Sequence, residues 1–359
     1  MNHSASPRSH RILYAIALSF SAILLALLAL PRPGVRIAEL RPAAAPDSSP
    51  RPLPAPDRIR VASFNLEHFT DARRDGPERT PKIFAAHVRG AANAVSEADP
   101  DVLVLQEIEN ARALLALNSA LPRPFDFAYV SDLRNSSGPR DKLNLALLSR
   151  LPPARVRQIG FHALEGAGRP TRGALAAAFD FADGSALLVY NVHLKSNFGE
   201  APRNQAQRAI ALHLVAADAV SETFRNVPRT TSALVLGDTN VDPDTEQFAS
   251  DPSLEPLAGS FIDLWRGRPI EERTTIATRH PGDTNLVFPP AAFDRVFASK
   301  NLAGSGPWFV SPPQAVQKGS ATHDNTLQPG VGGHVSDHYL VYVDLLRFPP
   351  PSPRPIDSP

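Results

Sequence analysis

The chain has 359 residues, 43% hydrophobic and 20% charged, and no cysteine. That suits one large domain or two small ones and excludes a disulfide scaffold, thiolate metal ligands and a cysteine nucleophile. The formal net charge of +1 conceals basic ends. Setting aside the seven arginines and three acids before Ile59, with Arg354 and Asp357 in the tail, leaves 29 cationic against 32 acidic side chains, so the central domain carries no basic footprint of the kind a non-specific nucleic-acid binder shows.

Ile12 to Leu30 is uncharged and almost wholly apolar, preceded by Arg8 and Arg11 and followed by Pro31-Arg32-Pro33. At helical rise the run spans ~28 Å, close to the hydrocarbon thickness of a bilayer. The positive flank predicts an N-terminus left in the cytoplasm. Residues 1–31 read as a signal anchor, with a cleaved signal peptide as the alternative. On either reading the rest is exported: membrane-anchored and facing the periplasm or exterior, or secreted if the segment is cleaved. Residues 32–57 are rich in Pro, Ala and Ser and read as an extended linker. Residues 349–359 form a similar Pro-rich tail, which leaves 58–348 as the folded domain.

Ile59 to Phe64 alternates loosely as a first strand and ends in Asn65-Leu66-Glu67-His68. Lys82 to Ala98 places Ile83, Phe84, Val88, Ala91, Ala92 and Val95 at helical spacing and stops at Asp99-Pro100. Val102 to Leu105 is a buried strand ending in Gln106-Glu107. Phe127 to Val130 and Leu143 to Leu148 read as further strands, the second preceded by Gly138-Pro139-Arg140-Asp141. Ala174 to Phe181 and Ala186 to Val192 flank the hairpin turn Asp183-Gly184, and the second runs into His193-Leu194-Lys195-Ser196-Asn197. Asn204 to Phe224 predicts a helix with Ile210, Leu214 and Val215 inward and Arg203, Gln207 and Arg208 near its start. Ala233 to Leu236 is a short buried strand stopped at Gly237-Asp238-Thr239-Asn240. Phe293-Asp294-Arg295-Val296-Phe297 follows, and Gly332-Gly333-His334-Val335-Ser336-Asp337-His338 leads into a closing strand, Tyr339 to Leu345.

A buried strand that stops at Gly-Asp-x-Asn puts an acid and an amide beyond its carboxyl end, where open α/β sheets bind ligands. Taken alone the tetrapeptide is also ordinary turn chemistry. It gains weight because the chain repeats the arrangement, each time ending an apolar run in a different polar group.

Asn65/Glu67, Gln106-Glu107, His193, Gly237-Asp238-x-Asn240, Asp294 and Ser336-Asp337-His338 occur in the order, and at roughly the spacing, seen in the endonuclease/exonuclease/phosphatase superfamily. The resemblance covers nearly all of Ile59 to Leu345. Gln106 to Asn110, Val192 to Ser196 and Arg203 to Arg208 are most similar to exported bacterial nucleases of that superfamily. The likeness implies a DNase I-like fold, a four-layered α/β sandwich with two mixed β-sheets packed face to face and helices outside. Two departures stand out: AP endonucleases carry Tyr where His193 falls, and DNase I has disulfides where this chain has no cysteine.

Phosphodiester hydrolysis needs a hard cation on a non-bridging oxygen, an activated water and a donor for the leaving oxygen. Mg²⁺ takes carboxylate oxygen and keeps several waters, so one or two acids suffice; Mn²⁺ or Ca²⁺ are the alternatives. Glu107, at a strand end, is the first candidate ligand, although an acid after a core strand is often only surface. Asn65 and Glu67, two apart, point the same way if the strand continues and would complete the shell or make a second site. His338 is the candidate base. The resemblance assigns Asp294 to fix its tautomer, turns Asp337 towards the metal, and gives His193 a phosphate-contact or leaving-group role with Asp141 as its carboxylate partner. It also gives Asp238 and Asn240 the tasks of orienting water and holding a phosphate oxygen. Lys195, Arg169, Arg172 and Arg208 are candidate substrate-backbone contacts, each with solvated surface as the alternative.

The function implied is a Mg-dependent nuclease, with nucleic acid as substrate and the membrane as partner only if the N-terminal segment is retained; no protein partner follows. A phosphatase of inositol phosphates or a sphingomyelinase-like phospholipase of the same superfamily is the second reading, against which no exposed aromatic hairpin is evident. An inactive binding module is the third.

Overall fold

Each apolar run read above as a strand of the folded domain is one, and several extend into the polar residues that follow them. The computed structural model describes residues 38–39, 52–73, 79–132, 143–161, 173–276, 289–317 and 328–347. One mixed sheet contains β1 (Ala38–Glu39), β6 (Arg155–Ile159), β7 (Ala174–Asp180), β8 (Ser185–His193), β9 (Thr230–Asp238), β11 (Asp294–Ser299) and β10 (Phe261–Asp263), in that spatial order. The second runs β12 (Trp308–Val310), β14 (Leu340–Arg347), β2 (Arg58–Phe69), β3 (Val102–Ile108), β5 (Asn144–Ser149) and β4 (Phe127–Val130), with β13 (Gln314–Val316) also paired to β14. Each sheet has one parallel pair among these strands, β8 with β9 and β2 with β3.

The helices are α1 (Pro81–Ala98), α2 (Ala111–Ala120), α3 (Ala201–Arg225), α4 (Glu255–Ala258) and α5 (Ile270–Arg273). Thr80 caps α1 by accepting from the Ile83 N–H, Pro81 opens it, and Asp99 in the left-handed region closes it before Pro100. The Ala/Leu-rich α2, passed over in the sequence, is capped by Asn110, which accepts from the Ala113 N–H. In α3 the inward residues are Asn204, Gln207, Arg208, Ala211, Leu212 and Val215, whereas Ile210 and Leu214 are only half-buried. The expected stripe is rotated because the first turns of this helix support a polar loop rather than a sheet.

The alternation of side chains along the strands builds three apolar layers. Ile59, Val61, Val104 and Leu147 of one sheet meet Leu175, Val189, Leu234 and Val296 of the other. The opposite face of the second sheet, with Phe64, Leu103, Leu105 and Leu148, packs on Val88, Val95, Leu114 and Leu117 of α1 and α2. The opposite face of the first, with Leu188, Tyr190 and Val235, packs on Leu212, Val215 and Leu257 of α3 and α4. The result is the helix–sheet–sheet–helix sandwich expected, with each buried Leu or Val contributing about 1.5–3 kcal/mol relative to exposure.

Part of the expected linker is laid onto the domain. Ala38–Glu39 pairs with Gln158 and Arg157 of β6, and Leu53 bridges to Phe181 and packs on the central core. The anchor or signal segment, Ile12 to Leu30, and the tail from 348 lie outside the described residues; no described helix is long and apolar enough to cross a membrane.

Candidate active site

The carboxyl ends of β2, β3, β8 and β9 share one rim with the starts of the antiparallel strands β11 and β14. Four side-chain-bearing positions there hold the backbone at positive φ: Glu67 at 41°, His68 at 49°, Glu107 at 63° and Asn240 at 56°. Such conformations cost on the order of 1–3 kcal/mol each and persist where the surroundings enforce them. They break the strand period, so Asn65 and Glu67 do not simply point the same way. Instead the Glu67 N–H donates to Asn65 Oδ1 at 3.1 Å, and the Glu67 carboxylate turns to accept from His334 Nε2 at 2.7 Å and from the Asp337 N–H at 2.8 Å.

Asp238 is the hub. Its Oδ2 accepts from Asn65 Nδ2 at 3.2 Å and Asn240 Nδ2 at 3.1 Å, and lies 3.3 Å from His193 Nε2 and 3.8 Å from His338 Nε2; its Oδ1 accepts from the Asn240 N–H at 2.9 Å. Burial drives its pKa up to about 6, against the pull of His338, with Asp294 and Glu107 adding to the rise. Gly237 lets this hub form: its φ is 140°, and a Cβ there would sit 1.9 Å from the carbonyl oxygen of Val192 on the neighbouring β8.

His338 Nδ1 lies 2.7 Å from Asp294 Oδ2, and both side chains are buried. A hydrogen bond from Nδ1 to Asp294 leaves Nε2 facing the rim, where Asp337 Oδ1 is 3.9 Å away. Burial lowers the imidazole pKa, but Asp294, Asp238 and Asp337 outweigh it and hold it well above the usual histidine value. Ser336, buried, donates from Oγ to the Asn65 carbonyl at 2.7 Å and accepts from the His338 N–H at 3.0 Å, which fixes this loop against β2.

Glu107 accepts from the His68 N–H through Oε2 at 2.8 Å, while its Oε1 lies 3.8 Å from His193 Nε2 with no donor among the described residues within hydrogen-bond reach. The Asp337 carboxylate likewise receives no hydrogen bond among the described residues. Burial, and then the carboxylates of Glu67, Glu107 and Asp238, raise its pKa to about 7 against His338. Because 41% of that side chain is open to solvent, the crowding of like charges is the more durable cause.

A polar contact missed in the sequence stands behind the rim. Asn191 on β8 donates to the Leu105 and Ala146 carbonyls at 2.8 and 3.0 Å and accepts from Gln106 Nε2 at 2.7 Å, and Gln106 also donates to Ser63 Oγ at 3.1 Å. It ties the two sheets together next to Glu107 and His193. His334, assigned no role in the sequence, proves to be a buried partner of Glu67.

Two of the cations expected to meet substrate are otherwise engaged. Arg208 is 2% exposed and donates to Asp251 Oδ2 at 2.7 Å, Ser253 Oγ at 3.0 Å, and both the Lys195 carbonyl and Asn197 Oδ1 at 3.1 Å. It holds the loop from inside and is not presented to a ligand. Lys195 Nζ donates to Ser196 and to the Phe198 carbonyl, the latter at 2.7 Å. Asp141, Arg169 and Arg172 lie outside the described residues.

A sequence model of the endonuclease/exonuclease/phosphatase family matches residues 62–338. The chain belongs to the endonuclease/exonuclease/phosphatase family. Truncated Caenorhabditis elegans TDP2 shares the fold, at 16% identity and a TM-score of 0.53 over 80% of this chain and 98% of that one. A Bacteroides thetaiotaomicron protein of the same family does so at 18% identity and 0.53, over 82% and 100%. The mannosyl-6-phosphatase of B. thetaiotaomicron VPI-5482 follows at 17% identity and 0.50, over 80% and 99%. No curated protein matches the chain.

Members of this family are mostly metal-dependent phosphoesterases, generally using divalent ions, typically magnesium or manganese. The donor set here fits such an ion: Glu107 Oε1 and Asp337 offer hard oxygens that have no donor among the described residues, beside the amide of Asn65. Among the described residues no three His, Asp or Glu side chains are arranged to hold a metal by themselves; magnesium ordinarily keeps several waters. When bound, the ion would supply positive charge to a phosphate oxygen and offset the carboxylates that raise the His338 pKa.

Proposed function

We propose that this chain is a magnesium-dependent nuclease hydrolysing nucleic-acid phosphodiester bonds outside the cytoplasm, held at the membrane by residues 1–31 or released if that segment is cleaved. The observation that carries the hydrolytic part is the His338–Asp294 pair, 2.7 Å apart, on the same rim as Glu107, His193 and Asp238. His338 Nε2 takes the proton of the attacking water while Asp294 holds the imidazole in the required tautomer. Asp238 and Asn240 orient that water and the phosphate. His193, fixed against Asp238, meets a phosphate oxygen or gives a proton to the leaving oxygen. Glu107 and Asp337 would hold the ion, with Asn65 and Glu67 as further candidate ligands. The likeness of the segments around His193 and Arg208 to exported bacterial nucleases supports the nucleic-acid assignment.

A second reading, a phosphomonoesterase of small phosphorylated sugars or polyols, is favoured by one observation. Lys195 and Arg208, two of the cations expected to meet a polyanion, are bound within the protein, and the domain is slightly acidic. The mannosyl-6-phosphatase among the structural neighbours is the precedent. Incubating the full chain with plasmid and single-stranded DNA, RNA, inositol phosphates, mannose 6-phosphate and sphingomyelin, with magnesium or chelator, separates the readings. Chelator-sensitive cleavage of nucleic acid that His338→Ala abolishes is the expected result. Turnover of monoesters alone overturns the nuclease assignment, and well-folded protein that turns over nothing indicates a binding module.

A further inference from the structure

The loop between β8 and α3 leaves a large aromatic side chain in water. Phe198, five residues after His193, is 86% exposed, the most exposed of the large apolar residues described. An isolated exposed apolar side chain needs no explanation, but the backbone carrying this one is fixed from within. Its carbonyl accepts from Lys195 Nζ at 2.7 Å and from the buried Asn204 Nδ2 at 3.1 Å. Asn197 donates to the Asn240 carbonyl at 2.9 Å, and Arg208 grips Asn197 and Lys195 from below. Gly199 turns the chain back into α3 with φ at 102°. The polar inward face of the first turns of α3 therefore anchors a loop whose ring is held out beside the catalytic rim, coupled by Asn197 to the residue next to Thr239.

We propose that Phe198 is a stacking platform for a nucleobase adjoining the scissile phosphate, a site that rests on the nuclease reading. A π-face carried on a loop that is hydrogen-bonded to Asn240 of the rim suits a planar base, and stacking supplies affinity without a charged contact. A lipid surface fits less well, because one ring flanked by Asn197, Gly199 and Glu200 gives little apolar area to insert.

The test compares the full wild-type chain with Phe198→Ala, Phe198→Trp and Phe198→Leu on a short single-stranded oligonucleotide and on the same oligonucleotide carrying abasic sites flanking the cut. Stacking predicts that Phe198→Ala raises KM on the intact oligonucleotide about tenfold, with kcat nearly unchanged. Phe198→Trp restores KM, Phe198→Leu does not, and the wild-type advantage disappears on the abasic substrate. Equal KM values for all variants on an oligonucleotide that wild type cleaves overturn the stacking role and leave the nuclease reading standing. Absence of any nucleic-acid cleavage by wild type overturns both. Loss of binding to phosphatidylglycerol vesicles by Phe198→Ala, with oligonucleotide KM unchanged, overturns it in favour of a membrane contact.

Discussion

His338 and Asp294 approach to 2.7 Å although they belong to different sheets, His338 just before β14 and Asp294 at the first position of β11. The pair therefore links the orientation of the candidate base to the packing of the whole sandwich. Asp294→Asn keeps the shape but presents an amide, whose N–H would donate to Nδ1 and force the proton onto Nε2. Activity in that variant is expected to fall about 10²–10⁴-fold in kcat with KM little altered, as for His338→Ala. Steady-state kinetics on whichever phosphoester is turned over decides it; a kcat within threefold of wild type removes His338 from the reaction.

Glu107 and Asp337 crowd like charge at one rim, with some of their oxygens lacking donors among the described residues, an arrangement that a cation relieves. Glu107→Gln is expected to weaken Mn²⁺ binding at least tenfold, read as free Mn²⁺ by electron paramagnetic resonance. It should also abolish most of the rise in Tm that Mn²⁺ gives the wild-type protein, since a ligand stabilises only in proportion to its binding. Unchanged Mn²⁺ binding in Glu107→Gln places the ion elsewhere.

What the sequence discloses and what it conceals divide along a physical line. Glu107, His193 and Asp238 are legible because each lies at the end of an apolar run, where a buried strand can present a polar group to a ligand. Glu67 is legible as a residue but not as a direction, since the left-handed backbone at Glu67 and His68 cancels the two-residue period on which the reading relied. Arg208 is misread because helical patterning treats a guanidinium as solvated, and nothing local signals that Asp251, 43 positions later, will bury it. The Asn191–Gln106 bridge is invisible for the same reason: its partners are 85 positions apart and each looks like an ordinary polar interruption of a strand.

Asp71 offers a test of stability against pH. Its carboxyl is held down to about 2 by the hydrogen bond from Arg112, against burial, with help from Asn110 and the Arg73 N–H. Its own N–H donates to Glu109 at 2.8 Å, so it joins the loops that follow β2 and β3, which carry Glu67 and Glu107. A folded-state pKa below the unfolded 3.8 means the contribution is present above about pH 4 and is lost as pH falls through about 2. Asp71→Asn is expected to lose about 2 kcal/mol at pH 6, and the gap from wild type should close between pH 4 and 2 in urea unfolding. A gap that does not change over that range removes the Arg112 pairing as its cause.

Asp242 follows the Asp238-Thr239-Asn240 turn and is wholly buried. It accepts from Arg273 Nη1, from Arg295 Nη1 at 3.2 Å and from the Ala292 N–H at 2.8 Å. Asp242→Ala leaves the buried Arg273 without its counter-charge and Arg295 with Asp263 alone, at a cost of about 3–5 kcal/mol. Asp242→Asn retains an acceptor and is expected to cost less. Urea denaturation of both variants orders them, and a loss below about 1 kcal/mol in Asp242→Ala shows the arginines find other partners.

Gly237 tests whether strand pairing itself sets the hub. β8 and β9 run parallel with Val192 opposite Gly237 and His193 opposite Asp238, so this pairing brings the imidazole to the carboxylate. A methyl group at Gly237 would meet the Val192 carbonyl oxygen at 1.9 Å, and the φ of 140° is one that an L-residue rarely adopts. Gly237→Ala is expected to cost about 2–4 kcal/mol and to reduce kcat, because relief of the clash must separate the strand ends that carry His193 and Asp238. A Gly259→Ala control, at a glycine whose added Cβ meets nothing within 4 Å, should leave both quantities near wild type. If Gly237→Ala matches that control in urea unfolding and in kcat, the close approach of β8 does not position the site.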